Sequence, residues 1–191
     1  MTDNTQKRLI LASGSPRRRE LLSRMGYTFE ICAPDVDEHV SGHASDIVFT
    51  LAQRKAHAAA ERFDDGVIVA SDTLVSLDGA PLGKPEDADD ARRMLAALSG
   101  REHEVFTGVC VIDASTGISE TRSVRTGVTF RALTAEEIDA YIATGEPMDK
   151  AGAYAIQGGA GAFVSGLDGE LENVIGFPVV EVREMLSHFG L

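Results

Sequence analysis

Apolar positions follow two rhythms along this chain. Short runs of aliphatic and β-branched residues stop at glycine, proline or acidic turns, and longer stretches bring an apolar residue back at helical spacing. Leu9 to Ala12 is a run of the first kind and reads as a strand. Ser13-Gly14-Ser15-Pro16 then hands over to a helix of about Pro16 to Met25, with Ser15 as N-cap, Pro16 in the first position and Gly26 as the stop. Tyr27 to Ala33 reads as a second strand, followed by the acidic loop Pro34 to Glu38. Ser45 or Asp46 opens the next helix, in which Ile47, Val48, Leu51, Ala52, Ala56 and Ala59 form one apolar stripe with Lys55 beside it.

The run Val67 to Ala70 leads into Ser71-Asp72-Thr73, which places Asp72 at a strand end; Leu74 to Leu77 stays extended and Asp78-Gly79 is a turn. Gly83-Lys84-Pro85 precedes a helix over Glu86 to Leu98 with an acidic first turn. His103 to Asp113 and Ser119 to Arg131 read as two arms of a hairpin, and Thr134-Ala135-Glu136-Glu137 is a capping box for a helix to about Thr144. A short strand into Ile156-Gln157, the glycine-rich Gly158 to Gly161, two further strand-like pieces and a helix of about Pro178 to His188 complete the pattern. Strands alternating with helices early, then a long hairpin, predict a mixed α/β sheet rather than a purely parallel one. With 191 residues, 43% of them apolar, one domain covering 1–191 can bury a full core.

Charge narrows the partners. Thirty acidic against 18 basic residues give a formal charge of −12, which argues against polymeric nucleic acid and acidic membranes. No run approaches the ~18 apolar residues of a membrane span, and Met1 to Arg8 lacks the core of a signal peptide, so a cytoplasmic location is expected. Cys32 and Cys110 lie in apolar contexts and read as free thiols. His39 and His43 enclose Ser41-Gly42, a loop signal that argues against a zinc pair. Gly79 to Lys84 is not a P-loop, because Pro85 follows the lysine.

Against this acidic background, Arg17, Arg18 and Arg19 stand in the first turn of a helix. That end carries partial positive charge, so each arginine there costs roughly 0.3 to 1 kcal/mol unless an anion is near. Arg17 and Arg18, with the helix N–H groups and the serines, therefore suggest a small-anion site, whereas Arg19 is assigned to solvent or a neighbouring carboxylate. Asp72 either caps its own turn or holds a metal or accepts a proton, and Glu38 is a candidate second carboxylate for a hard cation. Lys55 and Lys84 are candidate phosphate point charges, and the amide of Gln157 offers one donor and one acceptor to a base edge such as that of uracil or thymine. Together these residues describe a nucleoside triphosphate pocket.

The same blocks resemble the Maf family of nucleotide pyrophosphatases. They are Ala12 to Leu22, the acidic loop ending in Glu38, Leu51 to Ala56, Ser71 to Thr73, Gly83 to Pro85, Leu98 to Val109 and Asp149 to Gly158. The form of the Asp149 to Gly158 block is similar to that of the subgroup acting on dTTP and UTP rather than on 7-methyl-GTP. The resemblance implies a Maf/ITPase-like fold, a mixed twisted sheet flanked by helices, in two lobes with a central cleft, and a possible homodimer. It implies hydrolysis between the α and β phosphates, with Asp72 as proton acceptor. Arg17, Thr73 and Gln157 match the positions linked to substrate choice, and Ser13, Ser15, Arg18, Glu38, Lys55 and Lys84 match other pocket positions. A divalent cation, Mg²⁺ or Mn²⁺, is expected on Asp72 and Glu38. One departure is Glu170-Leu171-Glu172 before Asn173, where a small or aromatic pattern is more typical. The rival classes are a phosphatase releasing orthophosphate and a nucleotide-binding regulator of cell division, a septum formation inhibitor, without significant turnover.

Overall fold

The computed structural model of the chain describes residues 7–191. The first apolar run becomes β1 (Leu9–Leu11), buried throughout, and the chain turns into α1 (Pro16–Arg24). β2 (Glu30–Ile31) is shorter than the expected Tyr27 to Ala33, because its partner β1 offers only three residues to pair with. α2 (Ala44–Ala60) begins with His43 in the N-cap position rather than Ser45 or Asp46; Asp46 sits inside the first turn, where its charge suits the helix dipole. Every residue of the predicted apolar stripe is buried.

β3 (Val67–Leu77) runs through Ser71-Asp72-Thr73 without a break, so Asp72 lies in mid-strand and not at a strand end. It extends because Asp78 and Gly79, both at positive φ (52° and 79°), fold it back onto β4 (Ala80–Leu82). α3 (Ala88–Leu98) starts later than Glu86, since the Asp87 carboxylate caps it by accepting from Asp90 N at 2.8 Å. β5 (Glu102–Asp113) and β6 (Ser119–Phe130) form the expected hairpin, and α4 (Ala135–Ile142) carries the full Thr134/Glu137 capping box.

No strand enters Gln157. Gly152 and Ala153, at φ 68° and 60°, turn the backbone out of the extended region, and the stretch from Glu146 to Phe163 is a series of 3₁₀ turns. One strand, β7 (Val164–Asp168), follows where two were expected. The next residues wind instead into the short helix α5 (Leu171–Ile175), ended by Gly176 at φ 113°, and α6 (Val179–His188) follows.

The strands make one mixed seven-stranded sheet, β2-β1-β3-β5-β6-β7, with β4 also on β3. α2 covers one face, where Ala52, Ala56 and Ala59 meet Ile10, Ile68, Ala70, Cys110 and Ile112. The opposite face carries two separate cores. In one, Val67, Val69, Val109 and Val111 pack on Leu21, Leu22 and Phe177; in the other, Val75, Leu77, Val105 and Val128 pack on Leu95, Ile138 and Phe163. Between them the alternation of the same strands presents Ser71, Thr73, Thr107 and Thr126, so a polar belt separates two lobes.

The two cysteines are free thiols, and burial pushes that of Cys110 up. Among the described residues no helix is long and apolar enough to cross a membrane.

Candidate active site

β1 pairs with β3 at Val67–Val69 and β4 pairs with it at Val75–Leu77, leaving a gap on that edge of the sheet around Ser71 to Leu74. A cleft of about 620 Å³ opens there. Its walls include Ser15, Arg17, Arg18, Glu38, Lys55, Asp72, Thr73, Lys84 and Gln157, so nine of the residues singled out from the sequence converge on one space. Ser13 stands directly behind the wall, its Oγ accepting from Ser15 N at 3.2 Å and from Arg18 Nη1 at 3.3 Å. Arg19 is exposed and lies off the cleft.

Asp72 and Thr73 are neighbours that serve different faces of the sheet. Asp72 pairs in register with Gly108, where α2 comes so close that a Cβ would sit 2.1 Å from the Val48 carbonyl oxygen. On that side Lys55, rising from α2, places Nζ 2.6 Å from Asp72 Oδ1 and 2.7 Å from Glu38 Oε1. The ammonium and the Asp72 carboxylate are only 14% and 15% exposed, so this contact is sheltered from bulk water. The Lys55 hydrogen bond holds the Glu38 carboxyl below its ordinary range, with Lys84 and Arg18 adding to the effect. On the other face Thr73 meets Arg18, whose guanidinium is pulled below its ordinary value by burial and supported by the charge of Asp72.

α1 begins as expected at Pro16 with Ser15 in the N-cap position, but the Ser15 side chain makes no capping bond and no acid lies in the first turn. Ser15, Arg17 and Arg18 at this end line the cleft, and the first N–H groups of the helix receive no cap from the Ser15 side chain. On the far wall, two loops are tied together by Gly152 N donating to Gly83 O at 2.9 Å. Gly152 is required there: its φ is positive and a Cβ would press on Val75 at 2.9 Å. This tie holds Lys84 and the segment leading to Gln157 across the same opening.

Sequence reasoning passed over several lining residues. Lys150, its side chain 13% exposed, ion-pairs with Asp149; Tyr154 is buried, its hydroxyl 2.8 Å from His103 Nε2. Val174 and Ile175 come from α5, a helix too short for any periodic signal. The Asp-Lys-Ala-Gly string was the signal available for Lys150, being a cation and an acid beside a glycine turn.

The carboxylates fit a hard divalent cation. Both contact the same ammonium and so face one space, and carboxylate oxygen is the donor that Mg²⁺ and Mn²⁺ prefer. No group of three or more His, Cys, Asp or Glu suited to a metal occurs among the described residues, so an ion held by these two carboxylates would need other oxygen ligands to complete its shell.

Comparison with known proteins agrees with this geometry. The family described as Maf-like protein matches residues 8–189. The chain is 50% identical over 186 residues to a dTTP/UTP pyrophosphatase of Moorella thermoacetica, covering 96% of each. It is 46% identical to one of Pelotomaculum thermopropionicum (96% of this chain, 97% of the relative) and 47% identical to one of Myxococcus xanthus (97% and 94%). A family match over residues 8–189, with relatives of 46 to 50% identity over nearly the whole length, makes this chain a member of the Maf family.

Proposed function

We propose that this protein hydrolyses dTTP and UTP between the α and β phosphates, releasing a nucleoside monophosphate and pyrophosphate. The observation that carries the reading is the juxtaposition of Glu38, Lys55 and Asp72 with Arg17, Arg18 and Lys84 around one cleft. Two acids with four cations suit a polyanion whose bond to water must be made under charge control. The pyrophosphatase names of relatives up to 50% identical support the reaction.

In this reading Asp72 accepts the proton of the attacking water, and Glu38 and Asp72 are the residues that would hold the divalent cation. Such an ion, bound with the nucleotide, supplies positive charge that polarises phosphate oxygens and acidifies water. Arg18 and Arg17 grip phosphate as planar forks; Lys55 and Lys84 act as point charges. Gln157, exposed at the cleft mouth, offers its amide to the O4 and N3–H of a pyrimidine. A homodimer, a cytoplasmic location and one catalytic unit covering 1–191 belong to the same proposal.

The test is product analysis with dTTP, UTP, GTP and 7-methyl-GTP and Mg²⁺ or Mn²⁺, scoring pyrophosphate apart from orthophosphate. Pyrophosphate is expected from the pyrimidine nucleotides, falling about 10²- to 10⁴-fold in Asp72→Asn, the range for a lost general base. Orthophosphate in its place identifies a γ-phosphatase, and binding without turnover identifies a nucleotide sensor.

A further inference from the structure

Thr107 and Asn173 are wholly buried and lie outside the cleft wall, yet they are joined to it by hydrogen bonds whose direction is fixed by elementary counting. Thr107 Oγ1 lies 2.9 Å from the Asn173 carbonyl oxygen, which can only accept, so Thr107 spends its one hydroxyl proton there. Thr107 Oγ1 also lies 2.9 Å from Thr73 Oγ1, its direct cross-strand partner, and with its proton committed it can only accept. Thr73 therefore donates inward. Its oxygen then faces Arg18 Nη2 at 3.3 Å as an acceptor, and Arg18 can only donate. The bonds run one way, from Arg18 to Thr73 to Thr107 to Asn173.

The far end of this relay is anchored. Asn173 Nδ2 lies 3.2 Å from the Val105 and Val124 carbonyls and 3.0 Å from Thr126 Oγ1, while Thr126 donates to the Glu170 carbonyl at 3.1 Å. α5 is thereby fixed to β5 and β6. At its other end the Gly176 carbonyl accepts from Arg18 Nε at 3.0 Å and from Ser71 Oγ at 3.2 Å. Counting Ser13, Arg18 uses three of its five N–H donors on the protein and keeps one on each terminal nitrogen. A guanidinium held this way presents a fixed fork.

We propose that Thr107 and Asn173 are positioning residues for phosphate binding: they commit the Thr73 hydroxyl inward and so aim Arg18 at the polyphosphate. On this account Thr73 has no hydroxyl proton to give a nucleotide and acts on the substrate through Arg18. The inference rests on the reading of the cleft as a polyphosphate site and not on turnover.

The experiment is calorimetric titration of inorganic triphosphate with Mg²⁺ into the full chain, alongside KM and kcat for dTTP. Thr107→Val keeps the shape and removes the hydroxyl; it is expected to weaken triphosphate binding and raise KM by about three- to tenfold, the scale of one lost hydrogen bond between neutral groups. Thr107→Ser, which restores the hydroxyl, is expected to stay within about twofold of wild type, and in an Arg18→Met background Thr107→Val is expected to add almost nothing. Equal losses in both backgrounds, or no rescue by serine, would make Thr107 a packing residue and overturn the proposal. Failure of the wild type to bind triphosphate overturns it as well, whereas binding without dTTP turnover refutes only the pyrophosphatase reading. Should Thr107→Val not fold, Thr107→Cys puts a weaker donor in the same place, and an unchanged affinity there overturns the proposal too.

Discussion

Lys55 carries the charge balance of the cleft at the scale of a single residue. Among the described residues it is the one side chain ion-paired with both Glu38 and Asp72, and from sequence it read as a cation at the border of an apolar helical stripe. Removing its charge leaves the sheltered Asp72 carboxylate facing the exposed Glu38 without a counter-ion and, in the proposed reading, takes a positive charge from the phosphates. Lys55→Met is therefore expected to lower kcat/KM for dTTP by about 10²- to 10³-fold, the cost of deleting one preorganised donor. Steady-state kinetics against the wild type checks this, and an unaltered kcat/KM would reduce Lys55 to a structural counter-ion. Glu38, Lys55 and Asp72 were each recognisable in the sequence as candidates, but their contact was not, because they come from a loop, a helix and a strand.

Elements decide how accurately those residues are delivered. α2 reaches the cleft because Gly108 lets its backbone touch β5, and the same close approach sets how far Lys55 projects over Asp72. Gly108→Ala has no room for its methyl group and is expected to cost about 1 to 3 kcal/mol of stability while also lowering kcat/KM, since α2 must move. Thr134→Ala provides the contrast. It removes the capping box of α4, a helix that gives no residue to the cleft wall, and is expected to cost about 1 kcal/mol with kcat/KM unchanged. Urea unfolding and dTTP kinetics on both variants separate the two; loss of activity in Thr134→Ala would mean that α4 governs the cleft more closely than its contacts suggest.

The whole molecule joins two cores on one sheet face across a polar belt, with a third under α2 on the other, and its acid stability reports on the core that holds His103. Burial pushes the pKa of His103 down to about 4 from an ordinary 6.5, with Nε2 bound to Tyr154 and the ring packed edge-on to Phe130. The folded state thus favours the neutral ring. Its contribution is complete above about pH 6.5 and is lost as pH falls toward 4, amounting to something on the order of 3 kcal/mol. Unfolding free energy is expected to drop more steeply between pH 7 and pH 4.5 in the wild type than in His103→Gln, measured by urea titration at each pH. Parallel slopes would show that His103 does not control this range and that the carboxylates do.

Local chemistry was enough to fix several features of this protein from its sequence: the apolar stripe of α2, the Asp78-Gly79 turn, the capping box of α4, the long hairpin, and the start of α1 at Pro16 just ahead of its arginines. Each depends on residues a few positions apart, so periodicity and capping rules see it. Tertiary structure alone decided the rest. Asp72 in mid-strand, the gap between β1 and β4, the pairing of Thr73 with Thr107 and the docking of α5 all depend on register between distant strands. A single step of register would turn Asp72 away from Lys55 and Thr73 away from Arg18, and only the packing of the two cores on either side of the belt selects the pairing that is observed.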